Sequence, residues 1–388
     1  MKYYRITAKL LSPLMIQQNR QAYAPDALPY LPGGTLRGAL AAKYLRDGSP
    51  GDEAFRLLFL DQPVFFPDLL PAPDSKTLPG VLPMSAVSCK RCPGFVSQGK
   101  KEQHGFADML ALTAAGRLTG TAADQKHWEC PQCREDMKPF SGFWNGNMEA
   151  PARFVPTLTS QRHTGISRTT GTVASSIFYM TQTIAEYYKN PDTGEYLPQY
   201  LSGGAWLNEE QIKCLTPLLA ESVFAGADRT RGLGELEISV KDYPAPAPDM
   251  EKWDKEFRKK IRNLNKGQEI AEGIYFSVTL QSHAILTDPF LRPVSDIPEL
   301  NIPDVEPVMK MVKSETVRGW QTAWGLAKPD DMAVSMGSVY LFRCKGKDRE
   351  NLKNILSELL ANGIGLRREE GYGRISVCDF LHIREGIL

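Results

Sequence analysis

GADRTRGLG (residues 226–234) recurs as GLRREEGYG (residues 365–373), and both stretches fit the pattern G-x-x-R-x-x-G-x-G without a gap. Each follows a stretch of helical periodicity and continues into a strand that alternates apolar and polar residues, ELEISV in the first case and RISV in the second. A dinucleotide-binding glycine loop has the opposite order, with a strand before the glycines and a helix after them. The two loops therefore indicate an internal duplication and argue against a nucleotide-cofactor fold.

The segments that open the two halves correspond as well. Residues 4–16 and 273–286 alternate like strands, and each half then has a hydroxyl residue, an arginine and a glycine ahead of an apolar stretch that we predict to be helical. Strand, helix, further strands, helix and closing strand form a βαββαβ arrangement, so the predicted fold class is α+β, with two tandem ferredoxin-like (RRM-like) domains. The two motifs are LPGGTLRGALAAKYL, with Thr35, Arg37 and Gly38, and SETVRGWQTAWGL, with Thr316, Arg318 and Gly319.

A Pro/Ala stretch at residues 243–249 suits an extended linker and divides the chain. The first domain is predicted over residues 1–243, the linker with a charged helix over 244–272, and the second domain over 273–388. The first half is the longer one because it holds an insertion over 85–150 that carries two cysteine pairs. We expect both ferredoxin-like cores to lie outside this insertion.

Composition is that of a soluble globular protein, since 42% of the 388 residues are apolar and 23% are charged. The net charge of +1 gives no bulk attraction to nucleic acid, so any such site must be a local patch. No run of eighteen apolar residues occurs, and the start MKYYRITAKLLSPLMI lacks the features of a signal peptide. We therefore expect a cytoplasmic protein with no membrane partner.

Four of the seven cysteines form two C-x-x-C pairs. Two such turns bring four thiolates together in the tetrahedral set that zinc prefers, and four protein ligands leave no open position for catalysis. One structural Zn²⁺ per chain is thus predicted, whereas a redox role is disfavoured because neither pair lies between a strand and a helix. The predicted ligands are Cys89, Cys92, Cys130 and Cys133; His104 and His127, between the pairs, are possible substitutes for a cysteine, and Cys214, Cys344 and Cys378 are interpreted as packing residues.

The glycine loops also suit phosphate binding, because glycine permits positive φ and lets successive N–H groups face an anion, while arginine adds planar donors. The alternative is that each loop is only a tight helix-to-strand connection. A third segment, residues 161–171, mixes hydroxyl, basic and glycine residues and suits a hairpin against an RNA backbone, or else a solvated loop. The candidate RNA-binding residues are Gly226, Arg229, Arg231, Gly232, Gly234, Gly365, Arg367, Arg368, Gly371, Gly373, Arg374, Arg37, Arg162, His163 and Arg168.

Motifs of catalysis are few in this sequence. It has no D-x-D or E-x-x-H arrangement for a catalytic metal, no G-x-S-x-G and no Walker loop. His163 is the one plausible general base, and the sequence identifies no acid or nucleophile beside it. We therefore predict a protein that is not an enzyme and has no small-molecule substrate.

From residue 4 to residue 377, the order of these segments resembles the RAMP superfamily of CRISPR-associated proteins. LPGGTLRGAL resembles the segment that starts the superfamily's first helix, and ARFVPTLTSQRHTGISRTTGTVASSIF resembles the segment before an RNA-contacting hairpin in type III subunits. VRGWQTAWGLAKPDDMAVSMGSVYLFRC is similar to a run in the second domain of 5′-handle-binding subunits. Together with both loops and the zinc-bearing insertion, these segments resemble the Cas-five-like subunit of type III-D effector complexes.

The resemblance implies a non-catalytic role in antiviral defence. Such a subunit grips the 5′ handle of the guide (CRISPR) RNA and joins the large polymerase-like subunit to the backbone RAMP subunits. Two alternatives remain open at this point. One is a RAMP endoribonuclease that processes CRISPR repeat RNA, for which His163 is the candidate base. The other is a zinc-dependent assembly protein without direct RNA contact; RNA crosslinks at the loops would exclude it.

Overall fold

A computed structural model describes residues 1–17, 27–96, 103–119, 129–147, 149–190, 193–264, 267–346 and 349–384, with the backbone alone at 174–177. Within these ranges the chain is a mixed α/β structure of several sheets and six α-helices. None of the helices described is both long and apolar enough to cross a membrane. The helices are α1 (Gly33–Tyr44), α2 (Glu53–Phe59), α3 (Leu110–Thr119), α4 (Glu209–Leu218), α5 (Met250–Leu264) and α6 (Arg349–Asn362).

The strands of the first half fall into one large sheet and several small ones. They are β1 (Lys2–Leu10), β2 (Leu70–Ala72), β3 (Gly80–Val81), β4 (Ala86–Cys89), β5 (Phe106–Asp108), β6 (Met137–Pro139), β7 (Phe143–Trp144), β8 (Arg153–Phe154), β9 (Leu158–Ile166), β10 (Val173–Ile184), β11 (Tyr187–Lys189), β12 (Tyr196–Pro198), β13 (Tyr200–Leu207), β14 (Val223–Phe224) and β15 (Glu235–Asp242). Those of the second half are β16 (Ile274–Leu280), β17 (Val305–Met311), β18 (Ser314–Val317), β19 (Trp320–Gln321), β20 (Leu326–Ala327), β21 (Asp331–Val334), β22 (Val339–Cys344) and β23 (Ile375–Val377).

The large sheet of the first half has the strand order β14-β15-β1-β13-β2, with antiparallel neighbours. Apolar residues of β1, such as Ile6 and Leu10, pack with Leu36 and Leu40 of α1 in one buried cluster. The helix α4 begins at a capping box, in which Asn208 and Gln211 each bond the other's backbone N–H. The cap fixes the turn from β13 into α4, and α4 leads to the first glycine loop.

The sheet of the second half has the order β17-β22-β16-β23, again with antiparallel neighbours. All seven residues of β16 are buried, so this strand is covered on both faces. The amphipathic helix α5 directs Trp253, Phe257 and Ile261 into the same core as the sheet. In each half, the first strand thus lies between the third and the last strands of its sheet.

The helical stretch predicted after Gly319 in the second half is wrong. The segment forms β18, β19 and β20, with β18 paired to β21 and β19 to β20. Thr316 and Val317 are β-branched and favour a strand, and Gly325 adopts φ +64° in the turn between β19 and β20. The shared Arg-Gly dipeptide therefore lies inside α1 in the first half and between β18 and β19 in the second half.

The expectation that both cores lie outside the insertion is also wrong. Leu110, Ala111, Ala114 and Ala115 of α3 belong to the buried cluster of the second half. The preceding residue Asp108 is fully buried and lies 2.9 Å from Nδ1 of His382, near the end of the chain. His382 Nε2 lies 2.9 Å from the hydroxyl of Thr279 on β16. The helix α3 of the insertion is therefore part of the second core, whereas residues around the cysteines form a buried cluster of their own.

Candidate metal centre and RNA interface

Four side chains of the insertion converge on one point. The ligand atoms of Cys89, His104, Cys130 and Cys133 all lie within 4.8 Å of one another. Cys89 ends β4, and β6 pairs with β4 so that Met137 lies opposite Cys89, which brings the turn at residues 130–133 alongside. This pairing unites the two C-x-x-C turns, and the four residues can hold one metal ion.

Both turns have hydrogen bonds that suit thiolates. The backbone N–H of Cys92 donates to Cys89 Sγ at 3.5 Å, and the sulfur atoms of Cys89 and Cys133 are 3.5 Å apart. Burial raises the pKa of Cys89, but hydrogen bonds from Cys92, Cys133, Arg91 and Cys130 outweigh it, so the pKa lies below its ordinary value. A hydrogen bond from the Glu135 backbone lowers the pKa of Cys133, but burial and the Cys89 and Cys130 thiols raise it more, to about 11. The contact between the two sulfur atoms thus favours the thiolate at Cys89 and the thiol at Cys133.

The fourth member of the cluster is His104, whereas the sequence predicts Cys92. His104 Nδ1 lies 3.4 Å from Cys130 Sγ, and the His104 N–H donates to the carbonyl of Cys92 at 3.1 Å. A bridge between Gly94 and Gly105 folds the chain back, so that the imidazole lies beside the Cys89–Cys92 turn. The cluster thus contains three of the four predicted cysteines together with His104, which the sequence analysis named as a possible substitute for a cysteine; His127 lies outside the described residues.

The first glycine loop is exposed at its centre. Arg229–Arg231 form a 3-10 turn between Asp228, at φ +53°, and Gly232, at φ +82°. A Cβ on Gly234 would lie 1.9 Å from the carbonyl oxygen of Ala225, so glycine is required there for steric reasons. A Cβ on Gly232 would meet nothing within 4 Å, and the side chains of Arg229 and Arg231 are exposed. The loop thus has a fixed base and an open, basic outer side.

A long hairpin of β9 and β10 adjoins this loop. On one face, His163 stacks on Tyr179 with ring centroids 4.7 Å apart, and His163 Nε2 lies 2.9 Å from the hydroxyl of Thr181. Arg231 Nη1 donates to the hydroxyl of Tyr179 at 3.1 Å, which joins the loop to the hairpin. We call the following group the hairpin–loop surface: His163, Arg168, Tyr179, Arg229 and Arg231. The exposed Arg162 lies on the opposite face of the hairpin from His163.

The second glycine loop has the same backbone as the first. Gly365, Arg367, Gly371 and Gly373 all have positive φ, at the positions that Gly226, Asp228, Gly232 and Gly234 occupy in the first loop. A 3-10 turn, Arg368–Glu370, lies at the place of Arg229–Arg231. The duplication inferred from four matching residues therefore extends to the backbone conformation.

The surroundings of the second loop differ, because it packs against the start of α1. A Cβ on Gly33 would lie 2.9 Å from Cα of Gly371. Arg367 is paired with Asp331 at 2.8 Å and with Glu370 at 2.6 Å. The donors of Arg367 are thus engaged within the chain.

Two further predicted arginines are similarly engaged, and a third is half-buried. Arg374 donates to the carbonyls of Phe65, at 2.6 Å, and Ala361, at 3.1 Å. Arg37 donates to the carbonyl of Phe59 at 2.7 Å. The guanidinium of Arg368 lies over the ring of Phe65 at 5.5 Å. The structure therefore places the exposed arginines of the candidate interface on the first loop and the hairpin.

Sequence reasoning missed Tyr179 and assigned no role to Asp68. Tyr179 lies directly opposite His163 in the register of β9 and β10, but the register shifts between Val173 and Phe178, so the turn length does not indicate this pairing. Asp68 accepts a hydrogen bond from the N–H of Gly33 at 2.8 Å, beside the second loop. No sequence motif marks Asp68, because the contact depends on how the two halves meet.

No protein-family model and no curated protein matches the sequence. Among solved structures, a chain of the Type III-B Cmr-beta cryo-EM structure bound to cognate target RNA is 14% identical, with 91% of this chain and 89% of that chain covered and a TM-score of 0.45. A chain of the same system bound to cognate target RNA and AMPPnP is 15% identical over 91% and 89% of the two chains, with a TM-score of 0.42. A chain of a Cas6 product complex is 13% identical over 47% and 79%, with a TM-score of 0.29. Similarities of this size do not establish the family of the chain.

Proposed function

We propose that this chain is a CRISPR-associated protein of the RAMP superfamily with two ferredoxin-like cores, over residues 1–243 and 273–388. The observation that carries the proposal is the repeated architecture. Both large sheets place the first strand between the third and the last, and both halves end in a glycine loop with positive φ at the same four positions. The split βαββαβ arrangement has this strand order, although the first helix has no α-helical counterpart among the described residues of the second half.

Its role is that of a non-catalytic RNA-binding subunit of a type III effector, of the type III-D, Cas-five-like kind. It grips the 5′ handle of the guide RNA and joins the large polymerase-like subunit to the RAMP backbone. The hairpin–loop surface supports RNA contact, since exposed arginines suit phosphates and the His163–Tyr179 pair offers a stacking face for a base. The partner subunits follow from the sequence resemblance alone.

The cofactor is one structural Zn²⁺ on Cys89, His104, Cys130 and Cys133. Three sulfur ligands and one imidazole are a common structural set for zinc, and the burial of Cys89 and Cys130 favours a closed site. When bound, the ion would link β4, β6 and the segment around His104, which stabilises the insertion. The adjacent α3 would in turn be held against the second core.

Copurification tests the RNA role. The tagged chain, expressed with its neighbouring genes and a repeat-containing array, should retain guide RNAs that begin with the repeat-derived handle. The purified chain should also bind a handle RNA more tightly than a scrambled RNA of equal length. Protein that is folded, retains no RNA and gives no crosslinks at the hairpin–loop surface would contradict the proposal and favour the assembly protein.

Cleavage assays test the endoribonuclease alternative. The described contacts of His163 are Thr181 and Tyr179, and neither is a carboxylate or a second histidine. We therefore expect repeat RNA to remain intact with the purified chain in the presence of EDTA. Cleavage that disappears in His163→Ala would overturn this expectation and support the processing enzyme.

A further inference from the structure

A cavity of about 400 Å³ lies between the two halves of the chain. Its volume falls within the range of roughly 300–1,000 Å³ found for small-ligand sites, which often lie between domains. Aromatic residues form much of its wall, together with the linker between the halves. The lining includes Tyr3 of β1, Trp206 of β13, Trp144 of β7, Asp68, Arg374 and the linker residues Pro246–Pro248.

Two adjacent glycines of β13 border the cavity, and because successive residues of a strand face opposite sides of the sheet, Gly204 is the one that opens the face shared by Tyr3 and Trp206. A Cβ on Gly204 would lie 1.8 Å from the hydroxyl of Tyr3, so the Tyr3 ring can lie across β13 only where this residue has no side chain. A Cβ on Gly203 would lie 2.5 Å from the carbonyl oxygen of Asp68. Tyr3 and Trp206 have ring centroids 5.1 Å apart, which gives the cavity a continuous aromatic wall.

Two donors of residues that line the cavity have no partner in the described part of the chain, and one carboxylate lies beside them. Asp68 Oδ1 of that carboxylate accepts the N–H of Gly33 at 2.8 Å. Trp144 Nε1 and Arg374 Nε are buried and have no hydrogen-bond partner. Buried polar groups of native proteins are nearly always paired, so these atoms indicate a ligand with complementary donors and acceptors.

Burial raises the pKa of Asp68 to about 7, against the opposing effects of the hydrogen bond from Gly33 and of the charge on Arg374. A carboxyl group that titrates near neutrality in a cavity is a common feature of ligand sites. It can accept hydrogen bonds as the carboxylate in a substantial part of the molecules at pH 7.5.

We propose that this cavity takes one unstacked guanine, with the N1–H and N2–H₂ donors of the base directed at Asp68 and the ring against Trp206 and Tyr3. Guanine also carries O6 and N7 acceptors for donors such as Trp144 Nε1 and Arg374 Nε. Single-stranded RNA is read in this way, by splayed bases that stack on aromatic residues and bond through their edges. The inference rests on the proposed RNA-binding function when the base belongs to bound RNA; a free guanine nucleotide is the second source of the same chemistry.

An inosine scan of a handle-length RNA tests the proposal. Each guanine is replaced in turn by inosine, which retains N1–H but lacks the N2 amino group. At one position the wild-type chain should lose roughly tenfold or more in affinity, as expected for a lost hydrogen bond to a charged group. The same replacement should cost Asp68→Asn less than twofold, since Asn keeps an acceptor for Gly33 but no longer offers a carboxylate to the base.

A second variant covers the event that Asp68→Asn fails to fold. Ala247→Trp places a large ring from the exposed linker in the cavity wall, outside both sheets, and it should abolish the dependence on inosine while the protein stays folded. The matched control is Ala245→Trp in the same linker, which does not line the cavity and should leave the scan unchanged.

Titration with guanosine monophosphate separates the two sources of guanine. Saturable binding by RNA-free protein that is lost in Ala247→Trp assigns the cavity to a free nucleotide, and an inosine effect without such binding assigns it to RNA. RNA that binds with no position sensitive to inosine, and no binding of the monophosphate, overturns the cavity proposal alone. Absence of RNA binding in the wild type contradicts the proposed function, and the monophosphate titration then decides the cavity by itself.

Discussion

Arg374 Nη2 donates a hydrogen bond to the backbone carbonyl of Phe65 at 2.6 Å, and this contact joins the second glycine loop to the first half of the chain. Burial lowers the pKa of Arg374 to about 10, so the guanidinium stays charged at neutral pH. Its loss would leave the carbonyls of Phe65 and Ala361 without this donor. The second loop is thus an internal joint, whereas the first loop is open to solvent.

Because Gly33 lies against the second loop, adding one methyl group at this position should clearly lower the stability of the protein. A Cβ on Gly33 would lie 2.2 Å from the carbonyl oxygen of Phe66, so the backbone must shift. Gly33→Ala should lower the free energy of unfolding by about 1–3 kcal/mol, as overpacking does. Gly38→Ala is the matched control in the same helix, because its Cβ would meet nothing within 4 Å, and it should be neutral or stabilise by up to about 1 kcal/mol. Equal urea denaturation curves for the two variants would contradict the close packing of Gly33 at the start of α1.

The metal centre predicts about one zinc per chain by elemental analysis. Cys89→Ala combined with Cys130→Ala should abolish zinc, because it removes two buried ligands. His104→Ala should weaken zinc binding more than Cys92→Ser does, since His104 belongs to the cluster and Cys92 does not. The reverse ranking in a competition with a chelator would restore the four-thiolate site. Because α3 packs in the second core, metal loss should also lower the thermal stability of the whole chain.

The buried pair of Asp108 and His382 predicts a dependence of stability on pH. Burial lowers the pKa of His382, but the charges of Asp108 and Asp379 raise it more, and Lys260 opposes them; the net pKa is raised. Burial raises the pKa of Asp108, but His382, the Leu110 N–H and Lys260 lower it more. Stability from the pair is fully present between the unfolded values of about 4 and about 6.5. It is lost as pH rises through the raised pKa of His382, and as pH falls through the lowered pKa of Asp108.

Asp108→Asn tests this pair. At pH 6 it should lower the free energy of unfolding by about 3–5 kcal/mol, the usual cost of removing one partner of a buried ion pair. At a higher pH, above the raised pKa of His382, the cost should be smaller, because His382 is then neutral in both states. A cost that does not change between the two pH values, measured by urea denaturation, would show that the pair is not ionised in the folded protein.

The exposed arginines of the first loop should carry phosphate contacts. Arg229→Ala and Arg231→Ala should each weaken RNA binding by about 1.5–3 kcal/mol, and similarly for unrelated single-stranded sequences. The slope of log affinity against log salt should shrink by about 0.7 per lost contact. Arg367→Ala is the matched change in the second loop; its ion pairs with Asp331 and Glu370 predict lost stability and an unchanged slope.

Arg368→Ala tests whether both glycine loops bind phosphate or only the first loop does. The sequence predicts a phosphate contact here too, by analogy with Arg229, but the guanidinium lies over the ring of Phe65. An affinity loss like that of Arg229→Ala, in protein of unchanged melting temperature, would support two phosphate-binding loops. Full affinity in all four arginine variants, in folded protein, would mean that the loops are only steric connections.

Local features of the fold were accessible from the sequence. The strand predicted at residues 4–16 forms as β1 only up to Leu10, and residues 5–8 are all buried instead of alternating. The glycines of both loops adopt the positive φ that the pattern implied. In the second half, the Arg-Gly dipeptide at 318–319 suggested a helix, but the β-branched residues before it and Gly325 after it produced a hairpin. The strand and turn propensity of these residues therefore outweighed the helix expected by analogy with the first half.

Non-local features were not accessible. The position of His104 between the cysteine pairs made it a possible ligand, but its preference over His127 or Cys92 depends on the bridge between Gly94 and Gly105 and on its backbone contact with Cys92. The engagement of Arg374 depends on Phe65, which is far away in sequence and belongs to the other half. Likewise, no periodicity in α3 could show that its alanines pack against a sheet formed by residues 274–377. Such contacts are set by how the two halves meet.

The position of α3 has a consequence for biogenesis. Its small apolar face emerges from the ribosome before the strands that cover it, because β16, β22 and α5 all follow it in the chain. When the first half has been synthesised, the apolar face of α3 is therefore still uncovered. The core of the second half is complete only after His382 has been synthesised and can contact Asp108. Chains truncated before the C-terminal segment should accordingly be substrates for chaperones and proteases, and the two halves should not refold as independent units when expressed separately.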